Sequence, residues 1–195
     1  MDAIEAQQRA AVIAEARTWL GTPFAHRATV KGAGVDCAQL VRLVYIATGI
    51  MPLSVDPGIY ASQWHLHRDE ERYLAWADWL AVEVPRPQPG DVAIWKFGRV
   101  FSHAGIIIDD EHVLHAFADN REVTIDAARM GKLSMMAGPK GAVPRPVKYF
   151  DIFAKRRLEP ARFTASRAFG ESLGAAGLPA PTRSRPVVAD GSTPD

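Results

Sequence analysis

A chain of 195 residues with 48% hydrophobic content suits one domain with a real core, plus an appendage. A net charge of +1 argues against non-specific nucleic-acid binding, which relies on clustered basic charge. The single cysteine cannot close an internal disulfide, so no oxidising compartment is implied.

The opening Met1-Asp2-Ala3-Ile4-Glu5 has neither the basic nor the apolar region of a secretory signal. No apolar run approaches the ~18 residues of a membrane span. A protein made in the cytoplasm, without a membrane span, is expected. Residues 4–20 are predicted as an amphipathic helix: Ile4, Ala11, Val12, Ala16, Trp19 and Leu20 recur near helical spacing, with Glu5, Arg9, Glu15 and Arg17 on the other positions. Gly21-Thr22-Pro23 stops it.

Residues 24–35 are a glycine-bearing loop, and Asp36 stands where a helix N-cap belongs. Leu40, Val41, Val44 and Tyr45 give the next helix its apolar stripe, and Gly49 ends it. Residues 51–66 are irregular, 69–82 are a further helix, and 85–90 are a Pro-rich connector. Strands are predicted at 91–96, 102–108 and 112–117, with Asp109-Asp110-Glu111 as a hairpin turn. Residues 121–125 and 148–154 are further strand candidates, and 129–146 hold turn residues with no clear period.

The composition then changes. Residues 158–195 hold five prolines and two aromatics, too little to build a core. From residue 155 onward there are seven basic against four acidic residues. A domain of residues 1–157 followed by a weakly structured docking tail, 158–195, is expected. The tail should be irregular and held on another subunit by Phe163 and Phe169.

The chemistry centres on Cys37. A thiol at a helix N-terminus meets partial positive charge and free N–H groups, which favour the thiolate. His103 lies in a strand, where its side chain projects to one face. His115 lies 12 residues on, across a short hairpin, where the two rings can stand on the same face. This assigns Cys37 as nucleophile, His103 as base and later acid, and His115 as the group that orients the base. Cys37 and His103 should then lie within hydrogen-bond reach, or loosely so without substrate, with the thiol pKa lowered. Each residue also has a plainer explanation: a buried cysteine packs as a small hydrophobe, a strand histidine fills a core, and Asp36 caps a helix. A zinc site needs more ligands at close spacing than His65 and His67 beside Asp69 and Glu70 supply. No metal or cofactor is expected.

Five motifs in order resemble the NlpC-type cysteine peptidases, the bacterial and phage cell-wall endopeptidases. They are Gly21-Thr22-Pro23-Phe24, Asp36-Cys37, Pro89-Gly90-Asp91-Val92, Ser102-His103-Ala104-Gly105-Ile106 and Leu114-His115-Ala116. The resemblance implies an α+β, reduced papain-like fold: N-terminal helices, with Cys37 at a helix start, packed on a small antiparallel sheet that carries both histidines. It implies peptidoglycan stem peptides as substrate, often at the bond from D-glutamate to diaminopimelate.

The long stretch after Cys37 and the loop of residues 28–34 are most similar to the phage-tail and gene-transfer-agent branch. That branch implies tail or baseplate proteins as partners and a virion-associated location. One departure stands out. The family usually has Tyr where this chain has Phe24, so the hydroxyl it places at the active site is missing. Oxyanion and substrate contacts then fall to the Cys37 N–H or His26, with Asp36 and Ser102 flanking the reactive residues. Two alternatives stand beside the peptidase: a structural tail subunit with a weak site, and a thiol acyltransferase or amidase acting on a small molecule.

Overall fold

The computed structural model describes residues 2–55, 60 and 71–164. Helix α1 (Ala3–Arg17) starts on Asp2, whose Oδ1 accepts the Glu5 N–H at 2.8 Å. Two short strands follow, β1 (Thr29–Val30) and β2 (Gly34–Val35), then helix α2 (Cys37–Ala47), helix α3 (Arg72–Leu80) and strand β3 (Val82–Val84). A meander comes next: β4 (Val92–Phe97), β5 (Val100–Ile107), β6 (His112–Phe117) and β7 (Glu122–Ala127). The hairpin β8 (Met135–Gly138) and β9 (Gly141–Pro144) stands apart, and β10 (Val147–Asp151), α4 (Ile152–Leu158) and α5 (Pro160–Thr164) close the described chain. The main sheet has six strands in the order β3-β10-β4-β5-β6-β7, antiparallel throughout. The class is α+β, with the helices on one face of the sheet.

Alternation along the strands separates two apolar layers. Ile94, Ala104, Ile106, Leu114 and Ala116 face Val12, Ala16, Leu40, Val44 and Tyr45 of α1 and α2. Ala93, Trp95, Ile107 and Val113 face the other way, onto Ala128 and Leu133. Each fully buried large side chain contributes about 1.5–3 kcal/mol relative to exposure. This packing presses the start of α2 against β5.

Helix α1 departs from its predicted pattern. Ile4 is 70% exposed, while Glu5 and Arg9, assigned to outward positions, are buried. Arg9 Nε sits 2.9 Å from Glu5 Oε1, Nη1 sits 2.7 Å from Asp91 Oδ1, and Nη2 sits 3.0 Å from Asp151 Oδ2. Its guanidinium also lies 4.3 Å from the centre of the Phe153 ring. The charges go inside because each finds partners from other elements, which apolar periodicity does not reveal.

Other boundaries shift for local reasons. The helix predicted over 69–82 spans Arg72–Leu80 among the described residues, and Val82 begins β3 instead. The strand predicted over 148–154 stops at Asp151, whose Oδ1 accepts the Ala154 N–H at 2.9 Å and so starts α4. The unassigned stretch 129–146 contains the β8–β9 hairpin. Residues 158–164, expected to be irregular, are largely helical; Phe163 packs on the main core, with the Arg156 guanidinium 5.9 Å from its ring centre. Phe169 and the remainder of the tail lie outside the described residues, as do His65 and His67.

Candidate active site

Asp36 fixes the start of α2. Its Oδ1 accepts the Gln39 N–H at 2.9 Å, and its Oδ2 accepts the Arg27 N–H at 2.7 Å and the Tyr60 hydroxyl at 2.7 Å. Arg27 adopts a φ of 60°, which turns its N–H toward that carboxylate. Cys37 is thereby held as the first helical residue. Its Sγ lies 3.3 Å from the Tyr73 hydroxyl of α3, and the backbone N–H groups of Ala104 and Ala38 also point to the sulfur.

The histidines form a chain with two further side chains. His103 Nε2 lies 2.7 Å from His115 Nδ1, and His115 Nε2 lies 2.9 Å from Asp126 Oδ2. Asn120 Nδ2 donates to the same Asp126 oxygen at 2.8 Å. The tautomers follow from the carboxylate end. Asp126 accepts, so His115 carries its proton on Nε2. Its bare Nδ1 accepts from His103 Nε2–H, which leaves His103 Nδ1 as a free lone pair.

Sheet register makes the pairing possible. Ile106 pairs with Leu114 and Ile107 with Val113, which sets His103 diagonal to His115. The named β5–β6 pairs end there, so the strands part where the histidines lie. Gly105 is required between them: a Cβ there would stand 2.6 Å from Val113 Cγ2 and 3.0 Å from His115 Cβ. A bulge on β5 does the rest. Trp95 pairs with His103 but Lys96 with Phe101, so Ser102 is the extra residue. Phe101 and Ala104 then both face the helices, while His103 turns to Trp95, Phe97 and Phe117.

The electrostatics correct one expectation. Burial pushes the Cys37 thiol up to about 11, and the Asp36 carboxylate adds to this; the Tyr73 hydroxyl and the Ala104 and Ala38 N–H groups act against it. Burial holds the His103 pKa well below the usual range, helped by His115 and Arg145, whose guanidinium lies 3.7 Å from the Phe97 ring centre. His115 is lowered by burial against the pull of Asp126. The resting pair is a neutral thiol and a neutral imidazole, not a thiolate and an imidazolium. Helix-terminal charge is outweighed by desolvation and the adjacent carboxylate. Iodoacetamide labelling across pH is expected to give a midpoint near 11. A midpoint below the ~8.5 of a free thiol would contradict this picture.

The predicted residues divide accordingly. His103 and His115 are brought together. No described hydrogen bond joins Cys37 Sγ to His103; the sulfur instead meets the N–H of the next residue, Ala104. Phe24 packs its ring on the main core, and its N–H donates to Arg121 O at 2.7 Å. His26 is exposed, with Nε2 3.0 Å from Tyr60 O and Nδ1 3.6 Å from Asp36 Oδ2. The Ser102 hydroxyl is directed to Phe97 O at 3.4 Å. None of these three has a described contact with the sulfur.

Sequence reasoning missed Tyr73, Tyr60, Asp126, Asn120 and Arg145. Asp126 alone left a signal: it continues the alternation of β7 one residue past the predicted strand, on the face of Thr124, the partner of His115. Among the described residues no group of three or more His, Cys, Asp or Glu side chains stands ready to hold a metal. No described helix is long and apolar enough to cross a membrane.

Comparison with curated proteins gives no match. Among solved structures, the chain is similar to the NlpC/p60 domain of the peptidoglycan hydrolase SagA, at 21% identity and a TM-score of 0.43, over 62% of this chain and 90% of that one. It is similar to the peptidoglycan hydrolase RipB of Mycobacterium tuberculosis, at 19% identity and a TM-score of 0.48, over 78% and 68%. It is also similar to NlpC1 of Trichomonas vaginalis, at 13% identity and a TM-score of 0.48, over 74% and 43%. The model of the NlpC/P60 family matches residues 21–135, more than half of the sequence, and the chain belongs to that family.

Proposed function

We propose that this protein is a cysteine peptidase that hydrolyses an amide in the peptide stem of peptidoglycan, at the bond from D-glutamate to diaminopimelate. The observation that carries the proposal is the Asp126–His115–His103 chain ending in a bare Nδ1, beside Ala104, whose own N–H reaches a sulfur held at a helix start. Family membership supports the same chemistry.

The steps follow from the protonation states. His103 Nδ1 takes the Cys37 proton as the sulfur attacks the carbonyl carbon. The S–C bond forms and the carbonyl π pair moves to oxygen. Collapse breaks the C–N bond, and the leaving amine takes the proton from His103. A water, deprotonated by His103, then cleaves the thioester and restores the thiol. Because the resting thiol is neutral, proton transfer accompanies attack. Attack requires Sγ and Nδ1 within hydrogen-bond reach of each other or joined by a bridging water.

The setting we propose is a phage-like tail tip, supported by the resemblance of the loop of residues 28–34 and by the basic, proline-rich stretch that ends the sequence. Tail or baseplate proteins would be the partners and the virion the location. A second reading, acyl transfer to a small molecule, is favoured by one observation. A cavity of about 120 Å³, walled by Val41, Met51, Trp76 and Ile94, is also lined by Tyr73 and Ala104, which touch the sulfur from outside its own helix.

Mass spectrometry of purified peptidoglycan after digestion separates the two. The peptidase yields fragments with a new free amine on diaminopimelate. Cleavage at another amide overturns the assigned bond, and recovery of an acylated small amine without free stem fragments supports transfer.

A further inference from the structure

We propose that Tyr73, on α3 and outside every motif that carries the family resemblance, is a catalytic residue: its hydroxyl donates to the Cys37 sulfur as it ionises and then to the carbonyl oxygen as it becomes an oxyanion. The proposal rests on the peptidase reading and adds a donor to it.

The geometry places the hydroxyl there. Tyr73 Oη lies 3.3 Å from Cys37 Sγ. The oxyanion forms two bonds from that sulfur, within the sweep of a hydroxyl already in contact with it. The Ala104 and Ala38 N–H groups approach the sulfur as well, so two backbone donors and one side-chain donor converge on the reacting atom. The side-chain alternatives are otherwise engaged: position 24 is a phenylalanine packed on the core, the His26 nitrogens meet Tyr60 O and Asp36, and the Ser102 hydroxyl is directed to Phe97 O. As a side-chain donor beside the Cys37 N–H, the α3 hydroxyl therefore takes the place of the one missing at Phe24.

The protonation state fits. Burial, then the neighbouring Cys37, holds the Tyr73 phenol well above its ordinary range, so it remains a donor when the thiol ionises. In the attack step the thiol proton passes to His103, the S–C bond forms and the π pair moves to oxygen. Tyr73 O–H turns from sulfur to that oxygen and keeps its own proton throughout. When the intermediate collapses, the pair returns, the C–N bond breaks and the hydroxyl turns back. Such donors act in a partly dry site, where each is worth more than in water.

Tyr73→Phe removes one oxygen and keeps the ring, so a merely structural role would show in the thermal midpoint and little else. The expected result has two parts beside an unchanged midpoint. Iodoacetamide alkylation at about pH 8 slows about tenfold or more, because the thiolate loses a charge-assisted hydrogen bond. Hydrolysis of soluble peptidoglycan fragments loses about 10²–10³-fold in kcat, with KM moved much less. Alkylation or kcat within about twofold of wild type overturns the proposal. If wild-type protein hydrolyses nothing, the peptidase reading fails. The alkylation rates then still decide whether Tyr73 stabilises the thiolate, and equal rates overturn that as well.

Discussion

Arg9→Ala is expected to destabilise the protein by about 3–5 kcal/mol, because it leaves the buried Asp91 without its cation, whereas Glu5 and Asp151 keep Arg157. Arg9 is 3% exposed and touches Glu5, Asp91 and Asp151, which belong to α1, the lead into β4 and the end of β10. One guanidinium thus ties the first helix to both ends of the sheet's central pairing. Its net worth against an apolar core is not the issue; removal of one partner is. The effect carries a pH signature. Burial raises the Asp91 pKa to about 6 from its ordinary 3.8, with Arg9 and the Gln88 N–H acting against the rise. A group raised on folding contributes stability that is full below its unfolded pKa and is lost as pH rises through the folded value. Without Arg9 that folded value rises further. The loss should therefore be greatest above about pH 6 and shrink as acid neutralises Asp91. Urea midpoints for both proteins at neutral and mildly acidic pH check this. A loss independent of pH would mean that the charge on Asp91 is not what Arg9 balances.

His115→Ala should lower kcat/KM by about 10²–10⁴-fold, the range of a lost or misdirected general base. His115 accepts from His103 at 2.7 Å and so decides which His103 nitrogen is bare. Without it, His103 can take the other tautomer and present a proton to the thiol. The pH profile separates this from simple loss of packing. His103 is held well below its ordinary 6.5 by burial, then by His115 and Arg145. The acid limb of wild-type kcat/KM should accordingly lie below pH 6.5, since activity needs the neutral ring. Removing His115 relieves part of that depression and should move the limb upward. Stability follows the same sign: a lowered folded pKa means that the unfolded chain binds more protons in acid, so folding weakens as pH falls from 6.5.

What the sequence disclosed was local in character. Asp36 before Cys37 announced a helix start, because capping depends on the next three residues. The strands bearing His103 and His115 announced themselves by alternation across a three-residue turn, and the same alternation put both rings on one face. What stayed hidden depends on partners far away in the chain. Tyr73 reaches Cys37 across 36 positions, on a helix whose sequence looks simply apolar. Glu5 and Arg9 read as solvent-facing because nothing in α1 reveals Asp91 and Asp151. The lowered thiol pKa failed for the same reason: the helix terminus is visible in sequence, but the burial that outweighs it is not. Phe163, expected as an anchor for another subunit, packs on this chain's own core, with the Arg156 guanidinium over its ring. Tail composition described how little the segment can bury alone, not what it can bury against.

The central claim is that the Cys37 thiol cleaves stem-peptide amides with His103 as its base. The most direct measurement is the release of new amino groups from purified peptidoglycan, with wild type beside Cys37→Ala. Amine should appear with the wild type and stay at background with Cys37→Ala, at unchanged folded stability. Equal release by both proteins, or none by either, would contradict the account.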